Sequence, residues 1–149
     1  MTDQDELLSP AERIRAVELR REERAKKHRE LWDVQRAIDQ EEFDKLEESH
    51  GPEQVHTISF NQGWSPGVPT MVVFRTPSRL EIKRFLNKGD AKNPDKMLSA
   101  THDLCVTLVL YPTMGVLQEL MERFCNLPAT VANAASDIAS GEFEGQKKA

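Results

Sequence analysis

The sequence predicts a mainly α protein with a small β-hairpin, an α+β fold, and three observations predict it. After Pro10 the chain meets no glycine or proline until Gly51-Pro52. Two alternating apolar runs, Val55 to Phe60 and Val68 to Phe74, then flank the Gly/Pro-rich loop Gln62 to Gly67. Beyond Thr76, the breaks at Lys88-Gly89-Asp90, Tyr111-Pro112 and Leu127-Pro128 divide the rest into four helix-length segments. The implied organisation is a disordered segment 1–8, a long charged helix 9–50, a compact hairpin-plus-helices domain 53–141 and a flexible tail 142–149.

The long helix has a strong start. Ser9 can cap, Pro10 suits the first helical position and Glu12 completes a capping box. Some 40 residues at ~1.5 Å each give a rod of about 60 Å, too long for a small domain to bury. Its apolar content is thin. Ile14 and Val17 form one patch; Leu31, Val34 and Ile38, with Trp32 beside them, form another. Between the patches the segment RREERAKKHRE offers only Ala25, so apolar a and d positions do not run through the three or four heptads a continuous coiled coil needs. The expected picture is a solvated helix with two docking patches, with Asp39 the place where it would break. Glu22–Lys26, Glu23–Lys27 and Glu41–Lys45 supply favourable i, i+4 pairs.

In the hairpin, His56, Ile58 and Phe60 share one face of the first strand, and Val68, Thr70, Val72 and Phe74 one face of the second. Pro69 puts the start of the second strand at an edge or in the loop. A lone hairpin is marginal in water, so this one must pack on helices or pair with another chain. Thr76-Pro77 opens the first short helix, with Leu80, Ile82, Phe85 and Leu86 as its apolar contacts. The second begins at Asn93-Pro94 and runs to about Leu110. Met97, Thr101, Leu104, Cys105 and Leu108 form its stripe, and Val106, Val109 and Leu110 widen it into a central helix. Thr113 is placed to cap the third, whose Val116, Leu117, Leu120, Met121 and Phe124 face inward. The fourth carries Val131, Ala135, Ile138 and Ala139 on one face and has its stop at Gly141.

With a net charge of −5, the chain lacks the basic face that sequence-independent nucleic-acid binding requires. No stretch approaches the ~20 apolar residues of a membrane span, and MTDQDELLSP has no apolar h-region, so a cytoplasmic location is expected. Cys105 and Cys125 sit in apolar helical contexts and do not suggest a disulfide framework.

Catalytic, cofactor and metal sites are not expected. His28, His50, His56 and His102 show no metal-ligand spacing. His102 lies three residues before Cys105, but an activated thiolate needs an electropositive, accessible setting, and Leu104, Val106 and Leu108 surround this one. Glu41, Glu42, Asp44, Glu47 and Glu48 read as a solvated acidic face. Arg75, Arg79, Lys83, Arg84 and Lys88 form a basic cluster that either meets an acidic partner or faces solvent. Trp64, at the loop tip, either folds back on the core or anchors a partner, and folding back is the favoured reading.

The hairpin, the joint Phe74-Arg75-Thr76-Pro77-Ser78-Arg79 with Glu81 and Lys83-Arg84-Phe85, the apolar helix through Cys105 to Tyr111-Pro112, the Leu117–Phe124 helix, and Leu127-Pro128 before a small-residue helix follow one another in a recognisable order. In this order residues 55–141 resemble the tail assembly chaperones of tailed bacteriophages; the long N-terminal helix lies outside that pattern. The resemblance implies a non-enzymatic protein that coats the tape measure protein during tail morphogenesis, often as a homo-oligomer, in the host cytoplasm. The alternative is a structural adaptor or virion component that docks a neighbouring subunit through the long helix. Candidate partner contacts are Ile14, Val17, Leu31, Val34 and Ile38, with Phe60 and Trp64 at the hairpin.

Overall fold

The structure, a computed structural model, describes residues 8–60 and 62–148, with side chains through residue 141. Apart from Leu8, the segment expected to be disordered at the start lies outside the described residues. Among the described residues, five helices and a three-stranded antiparallel sheet make up the fold, so the mainly α reading with a small β element holds.

Helix α1 spans Pro10–His50, 41 residues, with the Ser9 Oγ accepting from the Glu12 N–H at 3.3 Å. It does not break at Asp39. The backbone ladder is uninterrupted, and the Asp39 carboxylate bonds outward to other elements instead of competing for its own helix. Gly51 ends α1 with φ 97°, a left-handed value that side chains beyond Cβ-free glycine rarely adopt.

Strands β1 (Val55–Ser59) and β2 (Met71–Arg75) form the expected hairpin, with Ile58 opposite Val72 and His56 opposite Phe74. Pro69 lies in the connecting loop, where its missing N–H is harmless. Helices α2 (Arg79–Lys88) and α3 (Pro94–Leu108) follow. The central helix stops at Leu108 rather than running to Leu110. Val109–Tyr111 instead forms β3, which pairs with β2 to give the order β1-β2-β3. The following Pro112 disfavours α geometry at Tyr111, and two β-branched or aromatic residues out of three suit an extended strand. Helices α4 (Met114–Arg123) and α5 (Leu127–Lys148) complete the chain. Thr113 holds the N-cap position of α4 without a side-chain capping bond. Gly141 does not stop α5, which continues to Lys148 where a flexible tail was expected. A glycine costs a helix only about 1 kcal/mol against alanine, and α5 carries two here, Gly141 and Gly145, among Ala139, Glu142, Glu144, Gln146 and Lys147.

The sheet is the middle layer. On one face Val72 and Phe74 pack with Leu104, Cys105 and Leu108 of α3, Leu117 and Leu120 of α4, and Val131, Ala132 and Ala135 of α5. On the other, Val55, Met71 and Val73 meet Phe43 and Leu46 of α1, with Leu110 and Tyr111 of β3. Burial on both faces explains why β2 reads Met-Val-Val-Phe, an unbroken apolar run rather than an alternation. A bulge between Val73 and Phe74 shifts the register against β3, so that Val109 joins the helical side while Leu110 and Tyr111 serve the α1 side.

The joint from β2 to α2 is held by a closed set of bonds. Arg75 meets the Glu81 carboxylate in a fork, Nη1 to Oε1 at 2.7 Å and Nη2 to Oε2 at 2.5 Å. The same carboxylate accepts from the Ser78 N–H at 2.9 Å, while the Ser78 Oγ accepts from the Glu81 N–H at 3.2 Å, completing a capping box. The Arg75 fork above all, helped by Ser78, lowers the Glu81 carboxyl from 4.5 to about 2. A depressed carboxylate stabilises the fold above its unfolded value and stops doing so as the pH falls through its folded one. Urea midpoints should therefore drop between about pH 4.5 and 2, and Glu81→Gln should flatten that part of the profile while lowering stability at neutral pH.

Candidate protein-docking surface

A charged helix of this length needs a specific attachment to a small sheet, and one buried side chain supplies it. Asp39, fully buried, accepts from both the Thr70 N–H and the Thr70 hydroxyl at 2.6 Å through Oδ2. Its Oδ1 accepts from the Tyr111 hydroxyl at 2.5 Å and from Gln35 Nε2 at 2.9 Å. All four donors are neutral, so the carboxylate is stabilised by dipoles rather than by a counter-ion. Thr70 leads into β2 and Tyr111 ends β3, which makes Asp39 the link between the helix and two strands. Burial, then the hydrogen bond to Asp39, pushes the Tyr111 phenol well above its ordinary value of 10.0.

A second attachment lies about two to three turns toward the N-terminus, at Trp32 and His28. Trp64 folds back from the loop onto α1. Its ring meets Trp32 edge-on at 5.3 Å and His28 at 5.0 Å, and its Nε1 donates to the Val68 carbonyl at 2.7 Å. His28 Nε2 lies 3.3 Å from the Trp64 carbonyl oxygen. The docked face of α1 is thus His28, Trp32, Gln35, Asp39, Phe43 and Leu46, positions three and four apart along one side of the helix.

The apolar patches read from the sequence are elsewhere. Leu31, Val34 and Ile38 are exposed, Val34 to 60%, on a stripe turned roughly 100° from the docked face at ~100° per residue. They do not dock α1 to its own domain; aromatic and polar residues do. Ile14 and Val17 are exposed on the part of α1 that precedes the described contacts with the hairpin loop, Ile14 to 59%. From Pro10 to Lys27 every residue is exposed except Ala16, which is half-buried. At ~1.5 Å per residue this arm is about 27 Å long.

Phe60 and Trp64 are corrected as partner contacts. Both are buried against the chain itself, Phe60 stacked on Phe124 with ring centroids 4.7 Å apart and Trp64 on α1. For Trp64 this is the fold-back that the sequence favoured. Leu80, Leu86 and Met97, expected as inward contacts, are exposed, as is Leu98. They lie on α2 and α3, helices that also wall a groove of about 300 Å³ lined by Glu81, Arg84, Phe85, Lys88, Asp103 and Leu104. Lys88 pairs with Asp103 across it, and Arg75 with Glu81, so the basic cluster is partly neutralised within the domain. Arg79, Lys83 and Arg84 remain exposed.

Cys105 is fully buried, and burial raises its thiol to about 11, the setting of an inert thiol rather than a nucleophile. His102, three residues away, is exposed and lies 3.7 Å from Asp103. Among the described residues no group of three or more His, Cys, Asp and Glu side chains is arranged to hold a metal ion, and no helix is long and apolar enough to cross a membrane.

The chain matches no protein-family model, no curated protein and no solved structure. Its surfaces must therefore be read from their own chemistry. Sequence reasoning missed the Asp39–Thr70–Tyr111 node. The available signal was an Asp between Trp32 and Phe43–Leu46 at helical spacing, an ionisable residue on the side that carries those large apolar side chains.

Asp39→Ala should cost about 3 kcal/mol or more, because the Thr70 N–H and the Thr70 and Tyr111 hydroxyls lose a shared acceptor where water does not reach. Chemical denaturation measures it, and Asp39→Asn, which keeps one acceptor, should cost less. Raised phenol ionisation has the opposite sign from Glu81. Below pH 10 Tyr111 is neutral in both states, whereas above it only the unfolded chain ionises freely. Stability should decline as the pH rises beyond 10, and Tyr111→Phe should remove that decline.

Proposed function

We propose that this chain is a non-enzymatic tail assembly chaperone that binds a phage tape measure protein during tail morphogenesis. The resemblance of residues 55–141 to that family supplies the client. The observation that carries the docking part of the reading is the exposed arm of α1, which holds Ile14 and Val17 in water although a domain core lies immediately beyond it. Apolar residues on a rigid, otherwise charged helix cost solubility and nothing is gained from them within the domain, so a partner helix is their natural counterpart. The stripe Leu31–Val34–Ile38 extends the contact along the same helix.

The same arm favours one other reading, a structural adaptor or virion component in which α1 docks a neighbouring subunit. Particle composition separates the two: a chaperone leaves before the tail is complete, and an adaptor stays in fixed stoichiometry.

Co-expression with the tape measure protein of the same genome tests the proposal. The expected result is a soluble complex that co-purifies, with recovery falling about tenfold when Ile14 and Val17 are both changed to Asp. A client that remains insoluble, with no complex recovered, would refute the chaperone reading.

A further inference from the structure

Helix α1 is divided by charge. Residues 10–30 hold eight Arg and Lys against five Glu, and residues 31–50 hold two Arg and Lys against seven Asp and Glu. Exposed apolar residues occur in both halves, Ile14, Val17 and Leu19 in the basic half and Leu31, Val34 and Ile38 in the acidic half. Arg13, Ile14, Val17, Glu18 and Arg21 line one shallow depression of the helix surface, so two arginines and two apolar residues of the arm share a face with a single carboxylate. In the other half Glu41 and Glu42 follow Ile38 and make exposed ion pairs to Lys45 at 3.9 and 3.4 Å.

From these observations we infer that α1 pairs with α1 of a second copy of this chain, antiparallel, about a two-fold axis near residue 26. In that register Ile14 lies opposite the second copy's Ile38, and Val17 lies beside the second copy's Val34. Arg13 comes alongside the second copy's Glu41 and Glu42. Arg21 lays its aliphatic stem over the second copy's Leu31. A parallel pair would set basic half on basic half and acidic on acidic, so charge selects the antiparallel one.

The apolar residues at 14, 17, 31 and 38 also fall on a 3.5-residue repeat, the period of a left-handed supercoil. That drift carries the seam from the arm's Ile14–Val17 face, past His28 at the edge of the docked face, to the lateral stripe, and leaves Trp32 and Asp39 to the domain. The two domains, each seated on α1 between His28 and Leu46, come to opposite ends of the pair. Arg24 and His28 at the centre keep the seam polar, which makes the pairing weak and reversible. This pairing involves the chain alone and does not depend on the identity of a client. If a client uses the same residues, it does so by displacing the second copy.

The full chain tests this without any partner. Sedimentation should show a monomer–dimer equilibrium that shifts toward monomer when salt rises from about 0.05 to about 0.5 M. Ile14→Asp and Ile38→Asp, both at exposed positions, should each raise the dissociation constant at least about tenfold with unchanged circular dichroism. Register is read by disulfide trapping in a Cys125→Ser background. Oxidation of the Ile14→Cys, Ile38→Cys double variant should give a covalent dimer, and neither single variant should. A chain that stays monomeric at its highest soluble concentration would overturn the inference, as would a dimer indifferent to both Asp substitutions. Efficient trapping by Ile14→Cys alone would show parallel pairing and overturn it equally.

Discussion

Asp39 joins the middle of a 41-residue helix to the loop before β2 and to the end of β3, through three hydrogen bonds of 2.5 to 2.6 Å. The rest of the architecture depends on that join. A β-sheet of three short strands cannot leave a face bare, and α1 is what covers the Val55, Met71 and Val73 face. The apolar contribution of α1 to that face is modest, mainly Phe43 and Leu46, so a directional polar contact sets the helix's position along the sheet. A buried carboxylate is costly unless every lone pair finds a donor, and this one finds four. The result is an attachment with one register, since sliding α1 by a turn would strand the carboxylate in an apolar layer.

Fixing α1 at its C-terminal half leaves the other half outside the domain. The arm is rigid because it is a continuous helix whose far end is held, and that suits it to present side chains at a distance. Trp64 sharpens this division. By packing on His28 and Trp32 it closes the docked region and marks where the arm begins. The compact domain buries its own aromatic residues, Phe60 on Phe124 and Trp64 on α1, and leaves the aliphatic residues of α1 for contacts beyond the chain.

The helical layer behind the sheet has a different physics. It is held by shape, with Val131, Ala132 and Ala135 giving α5 a small-residue face close against α3 and the sheet. Phe85 packs against the core from α2, while Leu86 of α2 and Leu98 of α3 are exposed. Groove and arm are both apolar surfaces edged with charge, on opposite layers of the molecule.

Punctuation and periodicity in the sequence determined the elements. Ser9-Pro10 and Gly51 set the ends of α1 and alternation around Gln62–Gly67 set the hairpin, because each acts through bonds within a few residues; α2 starts at Arg79 behind the Ser78–Glu81 capping box, two residues beyond the Thr76-Pro77 start read from the sequence. The exposed character of Ile14, Val17, Leu31, Val34 and Ile38 on a polar helix was legible for the same reason. Tertiary structure alone decided the third strand, the continuation of α5 through Gly141 and the role of Asp39. β3 exists because β2 has a free edge to pair with, and nothing in Val-Leu-Tyr records that edge. Asp39 read as a weak point of a helix because its partners, Thr70 and Tyr111, are 31 and 72 residues away. A carboxylate's meaning depends on which donors surround it, and that was decided only when the helix lay down on the sheet.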